Sequence, residues 1–304
     1  MIGNFNFDLP EIYQIEVTNR CNFSCPNCPR FTSNRAETDF DIDLLKLMAK
    51  RGDLDNSYFI ELQFAGEPLL YPYLDKAVNI IQENNCMVGL STNGSLIKEI
   101  DKAQFNALIQ CDYLTISIDG YNQETCERYR PDINFGELVD SINLLLDIKE
   151  DEYGTDYLYE NVNKSPIITL QIVNFSDEAY LEKSKIELKK IFGGKCLYTT
   201  IKNYFHTFSD KPTIDLCLNP FFSVTILANG NVTPCCYMFD EDIIYGNLKD
   251  ADLRTIWNES EVRKEHIKSF KTEQYFERCN KCSMRSPALL HWDMVLYNRR
   301  RSSI

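Results

Sequence analysis

Short runs rich in β-branched and aromatic residues alternate with longer amphipathic stretches over the first two thirds of the chain. Residues 12–17, 58–64, 87–91, 113–118, 167–173 and 197–201 read as strands. Between them, apolar residues recur at helical spacing, as in Leu44, Leu45, Leu47 and Met48, then Ala77, Ile80 and Ile81, then Leu138, Ile142, Leu145 and Ile148. Strands separated by helices predict right-handed βαβ crossovers and a parallel sheet. Six such units predict an α/β fold, an open, partial (β/α)6 barrel with function collected at the C-terminal ends of its strands. The polar stretch 149–165, rich in Tyr, Asp and Glu, reads as an exposed insertion between two units. After residue 205 the rhythm changes. Residues 222–228 and 231–237 flank Asn229-Gly230, a pair suited to the left-handed turn of a β-hairpin, and a helix is predicted over 253–269. A boundary near 205–215 then divides a barrel (1–205) from a small C-terminal α+β, cluster-binding domain of hairpin plus helix (206–304).

Composition narrows the function. A length of 304 residues leaves room for two domains, and 44% hydrophobic with 25% charged residues is ordinary for a globular protein. Lys and Arg total 32 against 45 Asp and Glu, a formal charge of −13. An acidic surface repels phosphate backbones and anionic lipid, so nucleic acid is not an expected partner. The basic run Arg299, Arg300 and Arg301 reads as a solvated tail. No run approaches the ~18 apolar residues of a membrane span. Asn4, Asp8 and Glu11 break up any basic-then-apolar signal peptide, so a cytoplasmic location is expected.

The chain has 12 Cys but only 3 His, namely His206, His266 and His291, and no HExxH. In a reducing compartment these cysteines are thiols rather than a disulfide framework. They fall into a tight trio, Cys21, Cys25 and Cys28, and a later group, Cys217, Cys235, Cys236, Cys279 and Cys282, with Cys86, Cys111, Cys126 and Cys196 scattered between. Two thiolate-rich groups predict two metal sites. The trio follows the first strand as Cys21-Asn-Phe-Ser-Cys25-Pro-Asn-Cys28. Three thiolates on a 4Fe–4S cluster leave one iron open to a small chelating molecule; standing alone, the trio would equally suit a partial zinc site.

These residues resemble the CxxxCxxC motif of the radical S-adenosylmethionine (SAM) superfamily. The resemblance implies that the open iron chelates SAM, and that one electron cleaves it to methionine and a 5′-deoxyadenosyl radical. Further motifs match in order over residues 11–205. Asn27 stands where many members have an aromatic residue. Gly66-Glu67-Pro68 is similar to the family's GGEP with Ala65 in place of the first Gly, which implies that the Gly66 backbone receives the SAM ammonium with Glu67 nearby. Ser91 and Asn93, in Ser91-Thr92-Asn93-Gly94, resemble the segment beside SAM. Ser117 and Asp119 match SxDG near the ribose or methionyl part, and Arg130 occupies the position that pairs with the SAM carboxylate.

Cys217, Cys235, Cys279 and Cys282 could by spacing form a zinc ribbon. Asn229-Gly230, Pro234-Cys235-Cys236, Gly246-Asn247 and Trp257-Asn258 resemble instead the C-terminal SPASM or twitch domain of radical SAM enzymes, which implies an auxiliary 4Fe–4S cluster. Residues 283–304 hold no cysteine, so the shorter, one-cluster version is expected. Four protein ligands fill every iron, and the natural role of such a cluster is electron transfer. Cys236 is expected to point away from Cys235 and pack, and Cys86, Cys111 and Cys196 to be buried apolar side chains. Cys126 could approach the active site.

The resemblance implies a radical SAM oxidoreductase that removes a substrate hydrogen and oxidises the substrate radical through the auxiliary cluster, turning an alcohol carbon into a ketone. Lys202, Tyr204 and His206 are candidate bases. An alternative is a maturase that crosslinks or epimerises a ribosomally made peptide. Such enzymes often carry a leader-binding domain ahead of the barrel, whereas 20 residues precede Cys21, which favours a small or sugar-like substrate. A two-cluster electron carrier is a third reading, but it leaves the open-iron trio, Gly66, Ser117 and Arg130 unexplained. A flavodoxin or ferredoxin is the expected reductant.

Overall fold

A computed structural model of the chain describes residues 8–26, 28–31, 33–154, 165–174, 178–193, 195–202 and 217–282. Each of the six predicted strands forms: β1 (Glu11–Ile15), β2 (Phe59–Glu61), β3 (Met87–Thr92), β4 (Tyr113–Ser117), β5 (Ile167–Asn174) and β6 (Leu197–Lys202). They pair in sequence order, all parallel. The helices α1 (Ile42–Arg51), α2 (Leu74–Glu83), α3 (Lys102–Gln110), α4 (Gln123–Glu127), α5 (Phe135–Tyr153) and α6 (Glu178–Phe192) lie between them in the chain. Local chemistry fixes their ends. Asp41, Asp101 and Asn134 each accept a hydrogen bond from a first-turn backbone N–H, and Asn122 closes a full capping box with Thr125. Burial of Leu45, Met48, Leu74, Ile81, Leu138 and Ile142 against the sheet then supplies the core.

The C-terminal segment builds onto the free edge of that sheet. After α7 (Asn219–Phe222), strand β7 (Ser223–Ile226) pairs in parallel with β1, so Ile12 faces Val224 and Ile15 faces Ile226. The predicted hairpin follows: β8 (Asn231–Thr233) runs antiparallel to β7, and β9 (Gly246–Asn247) to β8. Gly230 sits at φ 92° in the turn, where a side chain would be strained. The result is one nine-stranded sheet, β6-β5-β4-β3-β2-β1-β7-β8-β9.

Two local expectations are corrected. The helix predicted over 253–269 is two helices, α8 (Leu253–Glu259) and α9 (Glu261–Thr272), because Ser260 leaves the helical path and caps α9 through Arg263 N. A short α10 (Glu277–Asn280) follows. The exposed insertion expected over 149–165 starts later, since α5 continues to Tyr153 and buries Lys149, whose Nζ donates to Pro166 O at 2.7 Å. Burial pushes that amine down to about 8. Residues 155–164 of the stretch lie outside the described residues. Among the described residues, no helix is long and apolar enough to cross a membrane.

Candidate functional site

Because β1–β6 are parallel, their C-terminal ends share one edge, and the described candidate residues from Cys21 to Arg130 sit at those strand ends or in the segments after them. Cys21, Cys25 and Cys28 lie half-buried in the loop after β1, with Cys28 N donating to Cys25 O at 3.0 Å. The loop is held on every side. Arg20 grips Asp39 through two bonds of 2.9 and 2.7 Å and reaches Leu70 O. Asn19 donates to Ala36 O and accepts from Thr38 N, while Ser24 N and Oγ both donate to Asp132. Burial raises all three thiols, and each also feels the negative charge of another member of the trio. Such thiols stay protonated when empty and must lose protons to bind metal.

Gly66, after β2, is pressed against that loop. A Cβ there would stand 2.7 Å from Arg20 O and closer still to Thr18 O, so only glycine fits. Glu67 N donates to Arg20 O at 2.7 Å. The Glu67 carboxylate is buried and accepts from Leu69 N (3.1 Å), Thr92 Oγ1 (2.6 Å) and Asn93 N (2.8 Å), which ties β2's loop to the end of β3. Burial raises its pKa against these bonds. Ser91 is half-buried on β3. Asn93 Nδ2 donates to Asn22 Oδ1 at 2.9 Å, linking that strand end back to the cysteine loop.

At the end of β4, Ser117 is buried and Asp119 adopts φ 56°. Asp119 Oδ2 accepts from Arg130 Nε at 2.5 Å, an ion pair with both side chains largely buried. The Arg130 guanidinium also acts electrostatically on Cys25, Cys28 and Glu67, so it stands at the cysteine trio. Cys126 is fully buried beside Gly120, where a Cβ would meet its Sγ at 2.8 Å, and burial with Asp119 nearby pushes its thiol up to about 12. That is the setting of a packing residue. Asn27, Tyr204 and His206 lie outside the described residues; of Lys202 only its place at the end of β6 is described.

The later cysteines converge as a set. Cys217, Cys235, Cys279 and Cys282 line one pocket, with Pro220, Pro234, Met238 and Phe270 beside them. Burial and neighbouring thiols drive Cys235 well up. Cys236 is not in its lining and packs instead with Tyr237 and Phe239 against Tyr13, Phe64 and Ala65. Cys86, Cys111 and Cys196 are buried just ahead of β3, β4 and β6. Among the described residues, no three His, Cys, Asp or Glu side chains converge as ligands of one metal ion would.

The structure adds residues that spacing alone did not single out. A cleft is lined by Asn19, Arg30, Ser33, Arg35, Glu37, Ala65 and Phe239. Ser33 Oγ donates to Phe239 O at 3.0 Å, joining the segment after the trio to the segment after Cys235. Arg35 pairs with Glu16, which is fully buried and accepts from Ala228 N at 2.9 Å, and with Glu241 at 3.3 Å. The sequence signal for Arg30 was its place two residues after Cys28; nothing in the pattern marked Glu16 or Phe239.

The family model of the radical SAM superfamily matches residues 15–166, and that of an iron–sulfur cluster-binding domain, SPASM, matches residues 217–283. The chain is 22% identical to the tungsten-containing aldehyde ferredoxin oxidoreductase cofactor-modifying protein of Pyrococcus furiosus, over 89% of this chain and 86% of that protein. It is 37% identical, over 28% of this chain and 36% of the relative, to the S-adenosyl-L-methionine-dependent 2-deoxy-scyllo-inosamine dehydrogenase of Niallia circulans. The crystal structure of Streptococcus suis SuiB bound to precursor peptide SuiA has a similar fold, with a TM-score of 0.62 at 12% identity, covering 91% of this chain and 70% of that one.

Proposed function

The chain belongs to the radical SAM superfamily, and from that premise we propose that it oxidises a small, hydroxyl-bearing molecule. A radical SAM domain followed by a SPASM domain means SAM, a 4Fe–4S cluster that binds it and an auxiliary 4Fe–4S cluster. On this reading, residues 1–205 form the SAM-cleaving unit and 206–304 the auxiliary-cluster unit. Cys21, Cys25 and Cys28 hold the first cluster with one iron left for SAM, and Cys217, Cys235, Cys279 and Cys282 hold the second with none left. When bound, these groups supply a 5′-deoxyadenosyl radical and a one-electron acceptor.

The chain's own residues orient and exclude. The Gly66 backbone, packed tightly against the cysteine loop, receives the SAM ammonium, with Asn27, Glu67, Ser91 and Asn93 around it. Ser117 and Asp119 border its ribose or methionyl part, and Arg130, held by Asp119, meets its carboxylate. The substrate occupies the cleft lined by Arg30, Ser33, Arg35 and Glu37, whose polar side chains suit hydroxyls. Oxidation to a carbonyl would also need a protein base to take the hydroxyl proton, the bound groups supplying the hydrogen-atom acceptor and the one-electron acceptor. Lys202, Tyr204 and His206 are candidates for that base.

The observation that carries the oxidative reading is the convergence of four cysteines on one pocket, which gives the auxiliary cluster no iron to bind substrate and leaves it electron transfer. The local similarity to a SAM-dependent dehydrogenase supports the same direction. The test follows 5′-deoxyadenosine by mass spectrometry after anaerobic incubation with SAM, a strong reductant and a host extract split by size. Stimulation by the low-mass fraction is expected; stimulation by the peptide fraction alone overturns the small-molecule reading in favour of a peptide maturase.

A further inference from the structure

Tyr245 Oη lies 2.8 Å from His266 Nδ1, and His266 Nε2 lies 3.2 Å from Cys279 Sγ. The three side chains come from separate segments, the residue just before β9, α9 and α10, and all are buried. The imidazole is held by its surroundings. Phe276 meets it edge-on with centroids 5.1 Å apart, Phe270 lies 5.4 Å away, and Ser269 Oγ donates to His266 O at 2.7 Å. Neither His266 nor Tyr245 has a task in the reaction proposed above.

We propose that His266 is a positioning residue whose Nε2–H donates to the Cys279 sulfur and raises the reduction potential of the auxiliary cluster, with Tyr245 fixing the required tautomer. This rests on Cys279 being a cluster ligand. An iron-bound thiolate carries no proton and can only accept, so a contact at this distance needs Nε2 to bear the hydrogen. In a neutral imidazole Nδ1 is then bare and accepts, and the Tyr245 hydroxyl supplies the donor. A hydrogen bond to a cluster sulfur favours the more negative, reduced state over the oxidised one, which raises the potential. A cluster that must take an electron from a substrate radical is served by that shift. A histidine that merely filled the core would leave the potential where it was.

The test is an anaerobic redox titration of the holoenzyme followed by electron paramagnetic resonance, with SAM added to separate the SAM-binding cluster's signal. His266→Leu is expected to weaken reduction of the auxiliary cluster about tenfold, ~59 mV for a one-electron couple. His266→Gln, which keeps an N–H donor, is expected to recover part of that loss. Tyr245→Phe deletes one oxygen and is expected to shift the potential the same way by less. If His266→Leu fails to load iron, Tyr245→Phe decides. An unchanged midpoint in the loaded variants overturns the proposal. Iron content of the wild-type protein, measured first, separates this from the reading beneath it: a single cluster per chain overturns both, whereas two clusters with an unmoved potential overturn only the role of His266.

Discussion

Gly66→Ala is the sharpest test of how the site is assembled. The new Cβ would stand 2.7 Å from Arg20 O and nearer to Thr18 O, both backbone atoms of the loop that carries the cysteine trio. Restoring van der Waals contact at Arg20 alone needs a shift of about 0.7 Å, and Thr18 needs more. That loop cannot yield freely, since Arg20 is clamped on Asp39 and Asn19 on Ala36 and Thr38. Overpacking of this kind costs about 1–3 kcal/mol. Stretching the Glu67 N to Arg20 O bond adds roughly 1 kcal/mol. A total of about 2–4 kcal/mol is therefore expected in anaerobic denaturant unfolding, together with weaker SAM binding by equilibrium dialysis. Gly136→Ala is the control. Its Cβ would meet nothing closer than Asn134 Oδ1 at 3.5 Å in the first turn of α5, so it should be neutral or stabilise by up to ~1 kcal/mol. Gly66→Ala within 0.5 kcal/mol of wild type, with SAM affinity intact, would refute the close approach of the two loops.

Other perturbations probe separate links. Cys279→Ser should cost one cluster's iron while Cys236→Ser leaves iron content unchanged, because only the former lines the four-cysteine pocket; equal losses in an iron assay would mean the ligand set is misassigned. Arg130→Met strands the buried Asp119 carboxylate and should destabilise the fold by about 3–5 kcal/mol in chemical denaturation, and a change under 1 kcal/mol would show the pair to be solvated. Asp53, buried and accepting from Leu253 N, is pushed up to about 6 by burial first and by Asp252. Because its folded pKa lies above its unfolded value, the stability tied to its neutral form is complete below about pH 4 and is lost as pH rises through about 6. Asp53→Asn should thus stabilise at pH 7.5 by about 1–3 kcal/mol and have little effect at pH 4; a pH-independent difference would contradict the linkage.

Much of the architecture was legible because its signals are local. The six parallel strands are buried runs bounded by turns and helices, and Asn229-Gly230 marks a hairpin by the backbone it can adopt. The pairing of β7 with β1 was not legible: Ile12 and Val224 meet across more than two hundred residues, and a hydrogen-bonding edge leaves no trace in side-chain pattern. Lys149 misled for a related reason, since a long amine can sit inside a polar-looking stretch and still find a buried carbonyl at Pro166. At the site, the sequence groups Cys21, Cys25 and Cys28 in one loop and sets Cys217, Cys235, Cys279 and Cys282 apart, and these last four line one pocket. Sequence could not show how Glu67 spends its carboxylate on Thr92 and Asn93, nor the His266 contact to Cys279, because those are tertiary contacts that spacing does not encode.

In the proposed reaction two clusters divide the work, one that cleaves SAM and one that takes the electron. The most direct test of this division is 5′-deoxyadenosine formation by the anaerobic, reconstituted protein given SAM and a strong reductant, compared with Cys25→Ala and Cys235→Ala. Product is expected from the wild type, none from Cys25→Ala, and continued SAM cleavage from Cys235→Ala. No product from a wild-type protein with both clusters filled, or undiminished product from Cys25→Ala, would contradict it.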